Sequence, residues 1–490
     1  MRNLEKILRH NYEKWHDREY LYEKVDGAYR AVTYGAFLDN VQRLALWLLE
    51  RGLSEKPVMI YGDNSIHLMT ADLAVLHYVG ISVCVSKDWS AADVLRAARQ
   101  LDISCILYGG EKQEVIDTVR KEMPGITCIN MSGFPEIFSA NPRSNAPENS
   151  AGDCVPRDEE ACCKIVFSSG TTSMPKAVML SKKNIFAGLD SLYRRCPFDE
   201  SDVDYLFLPL SHTYGGIYNF LYSLVFGFRI YLCSDIGEMA QEIQEVSPTI
   251  FCGVPLIYRR FYEQCGNGLF AAFGSRIRYL FCGGAYFDEN IRRAYRDSGL
   301  NMMEAYGLSE TASTFSIQYP EDEDSESVGT VAEELEVKIL APDERGVGEI
   351  AVRGDNVFLG YAGEPELTKR VFTEDGYFRT GDLGFLRPDE RHGGFRLYLS
   401  GRMGRMLVGE NGENVEPTHI ENLISGRNTN IVKAVVYLEE RRLACKIYLT
   451  NPEDRDWGVF FAEVNTQLPA CEHIKSWHIL ADSAGERWKQ

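Results

Sequence analysis

Two patterns of apolar and polar positions alternate along the first hundred residues of the chain. The segment 34–49 reads YGAFLDNVQRLALWLL, with apolar residues at the spacing of an amphipathic helix, and Gly52 ends the pattern. The segments that follow are strand-like at 58–62, helical at about 65–78, strand-like at 81–86, helical at about 91–101 and strand-like at 105–109. Because strands that alternate with helices form parallel sheets covered by helices, this pattern predicts an α/β fold.

The rest of the chain divides by the same criterion. A second alternating stretch covers 205–303, and short strands with turns, such as LEVKIL at 335–340, then predict a β-rich subdomain. From Gly401 a short α+β pattern runs to Gln490. The segment 134–159 is rich in Ser, Pro, Asn and Asp, which predicts a surface loop or linker. We therefore expect mostly parallel sheets covered by helices, a β-rich subdomain and a small α+β C-terminal part.

The charge of the chain argues against two classes of partner. With 490 residues, 45% of them hydrophobic and 25% charged, the composition is ordinary for a globular protein of at least two domains. The 71 acidic residues outnumber the 52 basic ones, giving a net charge of −19. A general binder of nucleic acid or of anionic membranes carries the opposite sign, so we expect neither partner.

The cysteines and the N-terminus bear on the compartment. The chain has 13 cysteines without a C-x-x-C pair, and most lie in apolar runs, which indicates buried reduced thiols. A redox role for the adjacent Cys162 and Cys163 is the alternative. Residues 1–20 are charged throughout and lack the apolar core of a signal peptide, and no apolar run reaches the length of a membrane span. We expect a cytoplasmic protein without integral membrane association.

A segment of small hydroxyl residues follows the apolar run 164–167. Residues Ser168 to Lys176 read SSGTTSMPK, which combines several hydroxyls, little side-chain bulk and one cation. Backbone N–H groups, hydroxyls and lysine all donate hydrogen bonds, so the segment suits phosphate oxygens. It is not a P-loop, because Pro175 stands at the second glycine of that pattern and Ala177 replaces the metal-binding hydroxyl. A Ser/Thr-rich turn without a ligand is the alternative interpretation.

Five further segments share this small, polar, glycine-punctuated character. They are FLPLSHTYGG at 207–216, FCGGAYF at 281–287, EAYGLSETA at 304–312, YFRTGDLG at 377–384 and GRMGRMLVGENGENVEP at 401–417. Each alone indicates only a turn. Together, in this order and at these separations, they resemble the adenylate-forming superfamily of acyl-CoA synthetases, luciferases and peptide-synthetase adenylation domains. The resemblance extends from about Tyr34 to the last residues.

The resemblance implies an architecture and a reaction. It implies a large N-terminal ATP- and acyl-binding domain, here 1–403, hinged to a C-terminal lid domain, here 404–490 and shortened. A carboxylate would attack the α-phosphate of Mg²⁺-bound ATP, giving an acyl-adenylate and pyrophosphate, and a thiol would then displace AMP. That thiol would belong to coenzyme A or to the phosphopantetheine of an acyl carrier protein. The protein would position the groups and stabilise charge around the phosphates.

By the resemblance, the phosphate loop would hold the β- and γ-phosphates. The residues implied are Ser168, Ser169, Gly170, Thr171, Thr172 and Lys176. The family usually has glycine at two further positions, where this chain has Ser173 and Ala177. Both changes reduce the conformational freedom of the loop backbone.

The resemblance also implies a nucleotide pocket. Its adenine-facing residues would be Tyr306, Gly283, Gly284, Ala285 and Gly307. Ser309 would offer a hydroxyl to the α-phosphate, and Glu310 would supply a hard oxygen ligand to Mg²⁺. Asp382 would accept hydrogen bonds from the ribose, and Arg402 would reach the ribose or the phosphate. The alternatives are a helix N-terminal charge for Glu310 and an Asx turn for Asp382.

The segment around His212 bears on the substrate. His212 matches a histidine near the carboxylate in acyl- and aryl-CoA-forming members, and with Lys176 and Glu310 it completes the predicted catalytic set; a structural histidine is the alternative. Amino-acid-activating members tend to place an Asp close to the position of Thr213. Without that anion a buried ammonium would be unpaired, which favours an ordinary carboxylic acid.

Two weaker signals concern the acyl group. Aromatic residues suited either to an apolar acyl tunnel or to the core are Tyr214, Tyr218, Phe220 and Tyr222. The segment GENVEPTHIE resembles the bacterial long-chain acyl-CoA synthetase version of its motif. It favours a fatty or other apolar acid.

Two positions depart from the family pattern. The hinge has Gly404 followed by Arg405, where the usual residue is Asp or Lys, and Glu486 stands where a lysine usually bridges carboxylate and phosphate. Loss of such a contact costs roughly 3–4 kcal/mol, or 10²–10³ in rate, unless Arg487 or Lys489 replaces it. The leading prediction is an AMP-forming acid–thiol ligase. The alternative is a degenerate homologue that binds nucleotide or acyl-adenylate with little or no adenylation activity.

Overall fold

A computed structural model describes residues 4–140, 155–168, 175–284, 287–322, 324, 326–403, 407–408, 414–415, 417–428, 430–439, 442–449, 451, 455–469 and 472–481. Its α-helices within these residues are α1 (Leu4–Trp15), α2 (Tyr34–Leu49), α3 (Ile66–Ala74), α4 (Ala91–Gln100), α5 (Gln113–Glu122), α6 (Phe134–Ala140), α7 (Lys182–Phe186), α8 (Leu189–Arg195), α9 (Tyr222–Phe226), α10 (Met239–Val246), α11 (Pro255–Cys265), α12 (Leu269–Phe273), α13 (Glu289–Asp297), α14 (Pro365–Arg370), α15 (Pro417–Gly426) and α16 (Trp457–Asn465). Two π-helical segments cover Val75–Val79 and Tyr214–Leu221.

The strands of the same residues fall into four sheets. They are β1 (Glu19–Val25), β2 (Ala28–Thr33), β3 (Pro57–Tyr61), β4 (Ile81–Val85), β5 (Cys105–Tyr108), β6 (Thr127–Asn130), β7 (Cys162–Ser168), β8 (Lys176–Ser181), β9 (Val203–Leu206), β10 (Arg229–Leu232), β11 (Ile250–Gly253), β12 (Tyr279–Cys282), β13 (Met302–Leu308), β14 (Ser313–Ile317), β15 (Thr330–Val331), β16 (Glu336–Leu340), β17 (Gly348–Arg353), β18 (Gly360–Tyr361), β19 (Phe378–Pro388), β20 (Phe395–Arg402), β21 (Leu407–Val408), β22 (Asn414–Val415), β23 (Ile431–Glu439), β24 (Arg442–Leu449) and β25 (Ser476–Ala481).

The first sheet has the order β18-β8-β7-β4-β3-β5-β6. Strands β7, β4, β3, β5 and β6 run parallel, as the βα alternation of the sequence predicts. Strands β8 and β18 extend one edge with antiparallel pairs. The phosphate-loop segment therefore connects two antiparallel neighbours at the end of a parallel sheet.

The second sheet has the order β16-β17-β19-β20-β15-β14-β13-β12-β11-β9-β10-β1-β2. Its strands from β1 through β10, β9, β11 and β12 to β13 are parallel, while β13 to β16 form an antiparallel array through β14, β15, β20, β19 and β17. The predicted change from α/β to β-rich structure is confirmed. It occurs at β13, the strand that carries Tyr306 and Gly307.

Local signals set the limits of helix α2. Thr33 accepts a hydrogen bond from the Ala36 N–H and so caps the first turn. The apolar positions of the helix are buried against α3, and Gly52 follows with φ +73°, in the left-handed region that favours glycine. The helical spacing read from the sequence is therefore confirmed.

The prediction of a loop over 134–159 is wrong in its first part. Residues Phe134–Ala140 form α6, because Phe134 is fully buried and packs edge-on against His67, with Phe138 beside it. An aromatic anchor at the helix start outweighs the polar composition of the segment. Residues 155–158 have no regular structure, and 141–154 lie outside the described residues.

The C-terminal segment has its own core. Strands β23, β24 and β25 form one sheet, and α15 and α16 contribute to an apolar cluster whose buried members lie between Val415 and Ile474. Arg259 of α11 donates a 2.7 Å hydrogen bond to the carbonyl oxygen of Ser425 in α15. This bond joins the C-terminal segment to the larger part of the chain.

The structure also bears on two further predictions, which concern the cysteines and membrane-spanning helices. The eleven cysteines among the described residues, Cys162 and Cys163 included, are free thiols, in agreement with the prediction of reduced cysteine. Among the described helices, none combines the length and apolar character needed to cross a bilayer.

Candidate active site

Lys176 and Ser168 face each other at the base of the phosphate loop. Ser168 ends β7, Lys176 begins β8, and the two are direct partners in the antiparallel register. The Lys176 ammonium lies 5.0 Å from the centroid of the Tyr361 ring, within the range of a cation–π contact. The predicted loop residues Ser169, Gly170, Thr171 and Thr172, and the departure Ser173, lie outside the described residues.

Glu310 lies on a short 3₁₀ turn directly after β13. Thr311 braces the turn, because its hydroxyl accepts a hydrogen bond from the Leu308 N–H and donates to the Leu308 carbonyl. The Glu310 side chain is buried, and its Oε1 accepts a 2.8 Å hydrogen bond from the Tyr361 hydroxyl. The turn thus presents a buried carboxylate, and Glu310 also lies in the first turn of a 3₁₀ helix, as the alternative of a helix N-terminal charge expects. Ser309 opens the same turn.

Tyr306 and Asp382 are joined by a 2.6 Å hydrogen bond from the phenol to Oδ2. The other oxygen, Oδ1, lies 3.3 Å from Arg402 Nε, and Asp382 and Arg402 are register partners in β19 and β20. Burial raises the pKa of Asp382, an effect that the Tyr306 hydrogen bond and the Arg402 charge oppose. The Asp382 N–H donates to the Thr380 hydroxyl, and its carboxylate contacts Tyr306 and Arg402.

The glycines predicted beside the adenine allow close approach of neighbouring backbone. A Cβ on Gly307 would overlap the carbonyl oxygen of Ser313, and one on Gly283 would lie 3.1 Å from the carbonyl oxygen of Ala305. Gly284 has φ +84°, which disfavours any other residue. Ala285 lies outside the described residues.

His212 lies two residues before the π-helical segment Tyr214–Leu221. The residue is exposed, yet neighbouring protein atoms desolvate its ring and lower its pKa, which favours the neutral imidazole. Among the described residues, no hydrogen bond joins the ring to a partner. Tyr214 Cε1 would lie 3.7 Å from a Cβ on Gly283, so this segment borders the predicted nucleotide pocket.

The aromatic residues after His212 belong to the core. Phe220 is fully buried and packs edge-on against Phe37, while the Tyr222 hydroxyl donates to the Ile185 carbonyl. Tyr214 donates to the Phe281 carbonyl, and Tyr218 is buried beside Phe281. Of the two interpretations that the sequence left open, these contacts agree with the core.

Two contacts and one electrostatic interaction connect the predicted residues across three parts of the fold. Lys176 contacts Tyr361, and Tyr361 contacts Glu310. Burial raises the pKa of Asp382, and the Glu310 charge adds to that shift. A cation, a buried carboxylate and a ribose-type acceptor therefore share one region. This arrangement can hold a polyphosphate next to a nucleoside.

Glu310 fits the metal site that the sequence predicts. It offers a hard carboxylate oxygen, Oε2, while Tyr361 binds Oε1. No group of three or more His, Cys, Asp or Glu side chains suited to a metal is found among the described residues. A Mg²⁺ ion at Glu310 would take its other ligands from phosphate oxygens and water, as Mg²⁺ does in nucleotide sites.

Tyr361 is the one residue of this cluster that the sequence interpretation missed. It lies in the segment FLGYAGEPELT and directly follows Gly360, whose φ is +137°. The available signal was a Gly-Tyr pair four residues before the proline at the start of α14. That signal places a turn but does not say which side chain the tyrosine contacts.

Comparison with known proteins gives the family. Residues 8–362 match the family described as AMP-binding enzyme. The chain is 25% identical to the long-chain-fatty-acid–CoA ligase heimdall of Drosophila melanogaster, over 84% of this chain and 71% of the relative. It is 24% identical to long-chain-fatty-acid–CoA ligase 5 of Rattus norvegicus, over 88% and 73%.

Solved structures share the fold at low identity. One is ATP-bound MatB from Rhodopseudomonas palustris, with a TM-score of 0.81, 21% identity and coverage of 97% of this chain and 95% of that one. Another is o-succinylbenzoate CoA synthetase from Bacillus subtilis with its acyl-adenylate intermediate, with a TM-score of 0.80, 20% identity and coverage of 97% and 94%. The predicted resemblance is confirmed, and with a family match over residues 8–362 the chain belongs to the AMP-binding enzyme family.

Proposed function

We infer that the chain activates an apolar carboxylic acid, most simply a fatty acid, as an acyl-adenylate and transfers the acyl group to a thiol. The observation that carries this inference is the convergence of Lys176, Glu310 and Asp382 from separate parts of the fold. The printed names of the relatives, which are long-chain-fatty-acid–CoA ligases, support the choice of acid.

The adenylation step follows from these groups. A carboxylate oxygen attacks the α-phosphorus of ATP, the bond to the bridging oxygen breaks, and pyrophosphate leaves with the electron pair. Lys176 would face the negative oxygens of the leaving group, and Ser309 would donate to the α-phosphate. Asp382 and Tyr306 would fix the nucleoside so that the phosphorus lies in line. Mg²⁺ held by Glu310 would neutralise phosphate charge.

The thioester step uses the same pocket. A thiolate attacks the acyl carbon, the acyl–oxygen bond breaks, and AMP leaves. AMP is a far better leaving group than the oxide of a free carboxylate, which is the reason for the first step. Coenzyme A is the acceptor we propose, since the relatives are CoA ligases; a carrier-protein phosphopantetheine is the alternative.

We propose that the chain divides into an N-terminal domain, 1–403, and a C-terminal lid, 404–490. The separate sheet and apolar cluster of the C-terminal segment support this division. The hinge residues Gly404 and Arg405 lie outside the described residues. Limited proteolysis should cut first near residue 404 and release two fragments. A first cut elsewhere, with 404 protected, would contradict the boundary.

A degenerate homologue is the second candidate. It is favoured by Glu486, Gly404, Ser173 and Ala177, which depart from the family pattern. Glu486, Arg487 and Lys489 lie outside the described residues. Such a protein would bind ATP, AMP or an acyl-adenylate at the same pocket without efficient adenylation.

One assay separates these functions. The purified protein is incubated with Mg-ATP, a pool of fatty and aryl acids, and coenzyme A, and the products are read by mass spectrometry. Acyl-CoA would establish the ligase and identify the acid. Acyl-AMP without a thioester would indicate a carrier-protein acceptor. ATP binding without turnover of any acid would favour the degenerate homologue.

A further inference from the structure

Tyr361 lies between the two charged groups that the proposed function assigns to phosphate and metal. Its hydroxyl donates to Glu310 Oε1 at 2.8 Å, and its ring lies under the Lys176 ammonium at 5.0 Å. The Tyr361 side chain thus contacts a carboxylate through its hydroxyl and a cation through the face of its ring.

The backbone around Tyr361 is fixed on three sides. Phe358 N–H donates to the Glu310 carbonyl at 2.9 Å, and Ala362 N–H donates to the Ala177 carbonyl at 2.8 Å. Thr368 accepts a 2.9 Å hydrogen bond from the Tyr361 N–H. The strand β18 therefore joins the turn of Glu310 to the strand that begins at Lys176, and Tyr361 is held where these elements meet.

The hydroxyl of Tyr361 has a defined role as a donor. The Tyr361 side chain is 3% exposed, and its hydroxyl donates to the Glu310 carboxylate at 2.8 Å. With Oε1 engaged, the carboxylate cannot rotate freely, and Oε2 remains for a cation.

Lys176 has no carboxylate partner among the described residues. Its ammonium rests on the Tyr361 ring, a contact that orients a cation without neutralising it. A salt bridge with Glu310 would instead cancel both charges. The tyrosine thus lies between two opposite charges and leaves each available to a ligand.

We propose that Tyr361 is a positioning residue that orients Glu310 for a divalent cation and holds Lys176 ready for phosphate. This inference rests on the proposed function for its ligand, MgATP. Residues that orient metal ligands from behind typically change metal affinity or activity by about 10–100-fold when they are replaced. The hydroxyl should affect binding of the cation, through Glu310, and the ring should affect binding of phosphate, through Lys176.

The chain offers a matched control for the hydroxyl. Tyr377 donates a 2.7 Å hydrogen bond to Glu336, and Lys338 lies 3.9 Å from the Tyr377 ring centroid. Glu336 and Lys338 lie on β16 and Tyr377 directly precedes β19, so the arrangement repeats the Tyr361 contacts with a different carboxylate and a different lysine. Tyr377→Phe therefore removes the same chemical group with no contact to Glu310.

The test measures ATP binding by calorimetry with Mg²⁺ and again with EDTA. Tyr361→Phe should reduce the Mg²⁺-dependent gain in ATP affinity by ~10-fold and leave the affinity in EDTA unchanged. Tyr361→Leu should weaken binding in both conditions, because the ring contact to Lys176 is also lost. Tyr377→Phe should match the wild type. If Tyr361→Leu does not fold, the isosteric Phe variant decides.

A double variant separates positioning from general packing. In a Glu310→Gln background, Tyr361→Phe should have no further effect on Mg²⁺ dependence, since the oriented charge is already gone. Additive effects, or a Tyr361→Phe variant that binds MgATP like the wild type, would overturn the proposal. Because the readout is binding, absence of turnover with every acid would contradict the proposed function without affecting this result.

Discussion

Tyr306 and Asp382, 76 residues apart in sequence, are joined by a hydrogen bond of 2.6 Å. Asp382 is nearly buried, and Arg402, its partner in the strand register, is half exposed beside it. Burial raises the pKa of the carboxyl. The ionised carboxylate therefore destabilises the folded chain at the position where we expect it to bind a ribose.

Asp382→Asn should weaken ATP binding by about 10-fold while raising the midpoint of thermal unfolding at pH 7. Binding falls because hydrogen bonds from ribose hydroxyls to a carboxylate are stronger than those to an amide. Stability rises because the pKa of Asp382 is higher in the folded chain than in the unfolded chain. Above the unfolded-state pKa, ionisation of Asp382 therefore opposes folding, and asparagine does not ionise. Calorimetry and a thermal melt measure the two effects.

Asp375→Asn is the control, because the pKa of Asp375 is shifted in the opposite direction. Asp375 is exposed, and its hydrogen bond with Lys338 lowers its pKa to about 2. It should leave ATP binding unchanged and should not raise the unfolding midpoint. A wild-type ATP affinity that does not fall on acidification towards the raised pKa of Asp382 would contradict a role for the ionised carboxylate.

Lys176→Met should lower the rate of pyrophosphate release by roughly 10²–10³, since a cation aimed at developing phosphate charge is lost. Lys183→Met removes the same charge from α7, where Lys183 pairs with Asp355 at 3.1 Å and Glu160 at 3.4 Å. That control should retain its rate within about 2-fold. Equal losses in both variants would indicate an effect of net charge alone.

Replacing Asp204 and Asp202, two positions apart, by asparagine should change the free energy of unfolding in opposite directions. Asp204 is fully buried, accepts a 2.6 Å hydrogen bond from Asn219, and has no cation partner among the described residues. Burial raises its pKa from 3.8 to about 7. Between these values the folded chain holds a proton that the unfolded chain has released, so unfolding free energy falls as pH rises. Asp204→Asn should remove that dependence and stabilise the protein at pH 8.

Asp202→Asn provides the contrast. Arg278 contacts both Asp202 oxygens at 2.8 Å, and Thr249 donates to Oδ1 at 2.6 Å. Its replacement should reduce the free energy of unfolding by about 1–3 kcal/mol at neutral pH, because a buried charge-assisted pair is broken. Urea denaturation at pH 5, 6.5 and 8 measures both variants. A stabilised Asp202→Asn would show that this pair does not support the fold.

Glu486→Lys should raise the adenylation rate if the anion opposes the reaction. A restored cation would meet the developing phosphate charge, with a gain of up to roughly 10²–10³. The measurement is acid-dependent pyrophosphate release, with Glu472→Lys as a control for net charge elsewhere in the C-terminal segment. An unchanged rate would mean that Arg487 or Lys489 already supplies the cation.

The sequence by itself determined the alternation of strands and helices, the change to a β-rich region after residue 303, and the identity of the family. These features depend on local periodicity and on short motifs, which can be read within a few residues of each other. It also predicted a phosphate-binding loop that ends at Lys176, and the structure pairs Lys176 with Ser168 in an antiparallel register.

Only the tertiary structure decided which side chains meet. Tyr361 binds Glu310, which is 51 residues away in sequence. Residues 134–140, predicted as a loop from their polar composition, form α6 with Phe134 buried. The π-helical turn after His212 likewise directed the aromatic residues into the core. Such contacts depend on how distant elements pack, and packing is settled by the shape and burial of the whole assembly, which local pattern does not encode.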